Sequence, residues 1–133
     1  MAHIFCIVSQ KGGVGKTTTA LSLGLVFAGR HKKVLIIDAD PQGGIVYSLD
    51  KQRLLDHSVT DGRIGLYQVF CGEADIHDAA RRTEIENLHI VDCGIANTGP
   101  AVEAFEEATR AAGLFREAVQ NAAAFYDVIL MDC

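Results

Sequence analysis

A glycine-rich loop with two lysines connects the first apolar run of this chain to its first predicted helix. The loop reads Lys11-Gly12-Gly13-Val14-Gly15-Lys16-Thr17-Thr18-Thr19, between the apolar run 3–8 and a helix predicted over 16–30. Glycines allow a tight turn that brings successive backbone N–H groups together, and the helix adds its positive end. A strand, such a loop and a helix, in this order, predict a phosphate-binding site at the start of the helix.

Two side chains of this loop have the chemistry that a nucleoside triphosphate requires. Lys16 can reach the β- and γ-phosphates, and the Thr17 hydroxyl can ligate Mg²⁺. The standard pattern G-x-x-x-x-G-K-[ST] needs a glycine where this chain has Gln10, and a dinucleotide fingerprint from Gly13 fails because Thr18 replaces its last glycine. A flexible surface turn is the alternative, but it does not explain the flanking strand and helix.

The apolar run 3–8 predicts a strand buried on both faces, and three further apolar runs predict buried strands over 34–37, 88–91 and 128–131. Helices are predicted near 63–71 and 75–82, and one long helix is predicted from Pro100 to Ala122. Strands that alternate with helices predict an α/β fold with a mainly parallel sheet and right-handed crossovers. Ligands of such folds bind at the carboxyl ends of the strands, where this chain has the glycine loop, Asp38 and Asp132.

The composition is that of one globular domain. Of the 133 residues, 49% are hydrophobic and 22% are charged, which excludes a disordered or low-complexity chain. Apolar runs of about five residues are too short to span a membrane, which takes roughly 20, and no secretory leader is expected. A net charge of −5 argues mildly against broad nucleic-acid binding, although residues 1–37 carry five bases and no acid, which suits an anionic ligand.

The cysteines and histidines show no spacing typical of a metal site. The four cysteines, at positions 6, 71, 93 and 133, form no C-x-x-C pattern, so we expect buried, reduced thiols in a cytosolic protein. The five histidines, at positions 3, 31, 57, 77 and 89, are expected to be ordinary surface or core residues.

The loop matches the deviant Walker A motif K-G-G-x-G-K-T-T, and with it the sequence resembles the ParA/Soj family of partition ATPases, relatives of MinD and nitrogenase iron protein. Residues 38–43, D-A-D-P-Q-G, are similar to the switch I of that family, from which MinD-type chains usually depart. Residues 126–133 are similar to its Walker B strand, and 84–91 to its third-strand region. The resemblance covers the whole chain.

The resemblance implies a P-loop NTPase fold, a three-layer α/β/α arrangement with a mainly parallel sheet. Residues 1–133 would form the N-terminal part of a single deviant-Walker ATPase domain, truncated after the Walker B strand. The implied function is a nucleotide-switched, dimeric ATPase that binds and hydrolyses Mg-ATP during plasmid or chromosome partitioning. The residues implied to bind ATP are Lys11, Gly12, Gly13, Val14, Gly15, Lys16, Thr17 and Thr18.

The same resemblance assigns roles around the γ-phosphate. Thr17 would ligate Mg²⁺ directly, while Asp38 and Asp132 would hold metal-bound waters. Asp40 would orient or deprotonate the attacking water. Lys11 would reach the phosphates of the partner subunit, so Lys11, Lys16 and Asp40 form the implied catalytic set.

The implied partners are a second copy of the chain, bound when ATP binds, and a ParB-like centromere-binding activator. The implied location is cytoplasmic, nucleoid-associated in the full-length protein, with no membrane contact. Non-specific DNA binding belongs to later elements of the family and is not supported by residues 1–133. Two alternatives stay open, a catalytically inactive partial P-loop module and a MinD-like positioning ATPase. We expect isolated residues 1–133 to have weak or no ATPase activity and to associate through an open sheet edge.

Overall fold

The computed structural model describes residues 2–7, 14–39, 64–95, 99–111 and 113–132, with only the backbone described for 14–17. The strands are β1 (His3–Ile7), β2 (Val34–Asp38), β3 (Arg81–Arg82), β4 (Leu88–Val91) and β5 (Val128–Asp132). The helices are α1 (Val14–Gly29), α2 (Leu66–Phe70), α3 (Ile76–Ala79), α4 (Gly99–Arg110) and α5 (Leu114–Ala122). All four predicted strands and the first predicted helix are therefore confirmed. The expected burial of the first strand is wrong, because four of the five residues of β1 are exposed.

The five strands form one sheet in the order β1-β5-β2-β4-β3. β5 pairs in parallel with both β1 and β2, and β2 pairs in parallel with β4. Only the short β3 runs antiparallel, against β4. The prediction of a mainly parallel sheet is confirmed, and within the described residues β1 is an edge strand.

Helices cover both faces of the sheet. Val34 and Ile36 of β2 pack with Ala20 and Ala28 of α1 on one face. The alternate residues of β2 and β5 face the cluster that α2 to α5 contribute to. A β-carbon added to Gly24 would lie 2.9 Å from Cδ1 of Ile36, so α1 lies close against the sheet. The expected three-layer arrangement is confirmed.

The helix predicted over 100–122 is two helices, α4 and α5. Gly113 lies before α5 with φ 83°, a left-handed conformation that glycine adopts without strain and that ends an α-helix. Phe105, Val119 and Ala122 are nevertheless all buried. The apolar spacing predicted the buried face correctly, but it did not reveal the break between the two helices.

The helix predicted over 75–82 is shorter than expected, because α3 ends at Ala79. Ala80 is extended, and Arg81 and Arg82 pair with Ile90 and His89 of β4 as β3. Pairing with a strand of the sheet thus overrides the intrinsic helix propensity of Ala80, Arg81 and Arg82, which is high.

The prediction of buried thiols holds for Cys93 and is wrong for Cys6 and Cys71. Cys93 is buried after β4, whereas Cys6 lies on the exposed β1 and Cys71 at the end of α2. None of the three forms a disulfide, and Cys133 lies outside the described residues. No helix in the described ranges combines the length and apolarity that a bilayer span requires.

Candidate functional site

The helix that follows the glycine loop begins at Val14, so Gly15, Lys16 and Thr17 lie in its first turn. The first four N–H groups of an α-helix have no partner within the helix, and they carry the positive end of its dipole. No acidic residue lies in this first turn. The helix start can therefore bind an anion.

The first turn of α1 lies at the carboxyl edge of the sheet. α1 has 16 residues, about 24 Å of helix, and it contacts β1, β2, β4 and β5. Its last residue, Gly29, is followed by β2 after the short segment 30–33, so α1 returns the chain to the amino edge. Its first residues consequently lie at the edge where the parallel strands end.

Asp38 and Asp132 are neighbours at this carboxyl edge. They are register partners at the ends of β2 and β5, and they are only 1% and 0% exposed. The backbone N–H of Ala39 donates to the carbonyl oxygen of Asp132 at 2.9 Å. The thiol of Cys93 donates to the carbonyl oxygen of Asp38 at 3.2 Å. These two hydrogen bonds, each accepted by the backbone carbonyl group of one aspartate, hold the strand ends that carry the two carboxylates.

The donor set at this edge fits Mg²⁺. Mg²⁺ is usually bound through one or two carboxylates, substrate phosphates and several waters. Asp38 and Asp132 provide two carboxylates, beside a helix start suited to phosphate. No group of three or more His, Cys, Asp or Glu side chains in the described ranges could hold a metal on its own. A metal here would therefore need oxygen ligands from the nucleotide and from water.

A buried polar cluster supports the chain after β4 at the same edge. The guanidinium of Arg81 lies 3.2 Å from Oδ2 of Asp92, and Oδ1 of Asp92 accepts the backbone N–H of Gly94 at 3.1 Å. Gln68 accepts the N–H of Gly65 at 2.8 Å and donates to the carbonyl oxygen of Gly94 at 2.9 Å. These bonds attach α2 to the segment that follows β4.

Sequence reasoning assigned no role to this cluster, although one signal was present. Asp92 directly follows the third predicted strand, as Asp38 and Asp132 follow or end theirs. Its ion pair with Arg81 indicates a structural role, because both side chains are buried and engaged with each other.

The structure describes the other predicted site residues only in part. Lys11, Gly12, Gly13 and Asp40 lie outside the described residues. Val14, Gly15, Lys16 and Thr17 are described by backbone alone, and Thr18 is exposed on α1. The structure thus brings Asp38 and Asp132 together at the edge where α1 begins, and the roles of all these residues stay predictions.

Curated relatives match this chain along its whole length. The chromosome partitioning protein ParA of Caulobacter vibrioides NA1000 is 39% identical over 133 residues, which cover 98% of this chain and 47% of that protein. The sporulation initiation inhibitor protein Soj of Bacillus subtilis 168 is 35% identical, over 100% of this chain and 50% of its own length. The chain spans about half the length of the curated relatives it matches.

A solved structure shares the fold. The septum site-determining protein MinD of Pyrococcus horikoshii OT3, complexed with Mg-ADP, superimposes with a TM-score of 0.75 and 30% identity. The match covers 100% of this chain and 49% of MinD. The α/β fold is therefore that of the P-loop ATPases of ParA and MinD type.

A family model settles the wider relationship. The model of the AAA domain family AAA_31 matches residues 2–133, nearly the whole chain. The ParA and Soj relatives agree with the resemblance that the glycine loop and the D-A-D-P-Q-G segment suggested. This chain belongs to the AAA domain family AAA_31 and is related to the ParA and Soj partition proteins.

Proposed function

We propose that this chain is the N-terminal part of a single-domain ATPase of the ParA/Soj type, which binds Mg-ATP and hydrolyses it. One observation carries the proposal: two buried carboxylates, Asp38 and Asp132, lie side by side at the sheet edge where α1 begins after the glycine loop. The names of the ParA and Soj relatives, and the Mg-ADP bound by MinD, support it.

The chemistry follows from these positions. Phosphoryl transfer depends on positioning and on neutralising charge more than on covalent participation of the protein. The N–H groups at the start of α1 and the ammonium of Lys16 bind the phosphates. Thr17 would hold Mg²⁺ directly, and Asp38 and Asp132 would hold its waters. The ion would supply positive charge that offsets the negative charge of the phosphates.

Two residues outside the described ranges complete the proposed site. Asp40, two positions beyond the end of β2, orients or deprotonates the attacking water. Lys11 reaches the phosphates bound by a partner subunit, so ATP binding favours a homodimer.

A ParB-like protein activates the dimer, which acts in the cytoplasm, at the nucleoid, in plasmid or chromosome partitioning. The D-A-D-P-Q-G segment favours this role over a MinD-like one.

Replacing Asp40 with alanine tests whether this residue is needed for ATP hydrolysis but not for ATP binding. In the full-length protein, we expect Asp40→Ala to retain Mg-ATP affinity and to lose hydrolysis by roughly 10²-fold, the usual contribution of a positioned base. Steady-state phosphate release and equilibrium ATP binding measure the two quantities. Asp78→Ala, which removes an exposed acid on α3, is the control and keeps the parental rate. Hydrolysis by Asp40→Ala at that rate would make Asp40 structural.

Replacing Lys11 with alanine tests the contact across the dimer. Removing a cation that binds the partner's phosphates weakens the ATP-dependent dimer, and we expect its dissociation constant to rise roughly tenfold. Sedimentation with a non-hydrolysable ATP analogue measures the dimer. Arg30→Ala, which removes an exposed base after α1, leaves the dimer unchanged. An undiminished dimer in Lys11→Ala would refute the cross-subunit role.

A further inference from the structure

A second concave site lies at the amino edge of the sheet, opposite the proposed nucleotide site. The cavity has a volume of about 220 Å³ and lies where β2, β4 and β5 begin. The residues that line it are Lys33, His77, Asn87, His89, Phe125 and Tyr126. We call it the amino-edge cavity.

The polar side chains of the amino-edge cavity are mainly hydrogen-bond donors or cations. Burial lowers the pKa of His89, and the positive charges of Arg82, His77 and Lys33 lower it further. No acidic side chain is among the lining residues that the structure describes. Asp127 is next to Tyr126, but its carboxylate accepts the backbone N–H of Lys33 at 2.9 Å and is not part of the lining. Among the described lining residues, Lys33, His77 and His89 are therefore basic and none is acidic.

Aromatic rings form the remaining wall and fix the histidines. The hydroxyl of Tyr126 lies 2.8 Å from Nδ1 of His89, and burial raises the pKa of Tyr126 to about 12, so the phenol stays protonated at neutral pH. With Nδ1 bonded to Tyr126, Nε2 is the nitrogen through which His89 would contact a ligand. The ring centroids of His77 and Phe125 are 4.1 Å apart, so the two rings pack against each other and hold His77 in place.

We propose that the amino-edge cavity binds a small anion, through a carboxylate or phosphate group held by Lys33, His77 and His89 against Phe125 and Tyr126. Lys33 supplies a positive charge and the rings of His77 and His89 supply N–H donors, so an anion between them accepts a charge-assisted hydrogen bond together with hydrogen bonds from the two rings. At about 30 Å³ for each water, the volume corresponds to roughly seven waters. It is smaller than the pockets of roughly 300–1,000 Å³ that hold drug-sized ligands, so a small ligand fits best.

The test is a titration of the full-length protein followed by NMR of its imidazole rings. Inorganic phosphate and acetate are the two probes, added at constant ionic strength against chloride. We expect at least one probe to give saturable shifts of the His89 and His77 rings and to raise the pKa of His89, because a bound anion favours the imidazolium form. The preferred probe assigns the site to phosphate or to carboxylate. No saturable shift with either probe would overturn the proposal.

A pair of charge-matched variants distinguishes specific anion binding in the amino-edge cavity from non-specific attraction of anions to the protein surface. Phosphate also suits the glycine loop, so binding is read only at the His77 and His89 rings. Lys33→Gln should weaken binding there roughly tenfold, the effect of losing one charged hydrogen bond. Arg116→Gln removes the same charge from the exposed face of α5 and should change the affinity of the cavity for the probe by less than about twofold. Equal weakening by both variants would overturn the proposal.

Discussion

ATP binding is expected to fall by at least roughly 10²-fold when Lys16 is replaced by alanine in the full-length protein. Lys16 lies in the first turn of α1, and in the proposed site its ammonium binds the β- and γ-phosphates. Two charge-assisted hydrogen bonds of about 1.5–3 kcal/mol each account for a loss of that size. Isothermal titration calorimetry with Mg-ATP measures the affinity directly.

The control for Lys16→Ala is Lys32→Ala, which removes the same charge from the exposed segment that follows α1. This variant should bind ATP as the parent does, because an exposed charge distant from the phosphates is screened by salt. Circular dichroism establishes that both variants keep their helices. If Lys16→Ala binds ATP with the parental affinity, the glycine loop is not the phosphate site.

Replacing Gly65 with alanine is expected to destabilise the fold by about 2–4 kcal/mol, the range for overpacking combined with a broken buried polar network. A β-carbon at Gly65 would lie 2.6 Å from both Cα and N of Gly94, and 2.7 Å from Oδ1 of Asp92. Backbone atoms cannot move aside as the tip of a flexible side chain can. The substitution therefore separates α2 from the segment after β4 and disrupts the bonds of Gln68 and Asp92 there.

Urea denaturation of the full-length protein measures this loss. Gly29→Ala is the matched control, because a β-carbon there meets no atom within 4 Å. It lies at the end of α1, where alanine should be neutral or slightly stabilising. A Gly65→Ala protein within about 0.5 kcal/mol of Gly29→Ala would show that α2 adjusts without cost.

The strands and their edge were predictable from short segments of the sequence. Runs such as Val34–Ile37 are apolar at every position because both faces of the strand are covered, and that pattern is readable locally. A parallel sheet places all carboxyl ends at one edge, so Asp38 and Asp132 were expected at the same edge. The register adds that their strands, β2 and β5, are neighbours.

The features that escaped prediction depend on contacts between distant segments. Arg81 and Arg82 form a strand only because β4 offers a free edge to pair with. The amino-edge cavity joins side chains from four separate stretches, and no local pattern connects His77 with His89. The break at Gly113 was not predicted, because a turn between two helices leaves the apolar spacing on either side intact.

The position of β5 inside the sheet has a consequence for synthesis on the ribosome. β1, the strand that leads into the glycine loop, pairs with β5 from His3 opposite Val128 to Ile7 opposite Asp132, near the two ends of this chain. At roughly 5–20 residues per second, β1 waits on the order of ten seconds for its partner. Pairings so distant in sequence close slowly. β1 therefore emerges well before the strand that pairs with it, and its apolar side chains, such as Ile4 and Phe5, stay accessible to chaperones in that interval.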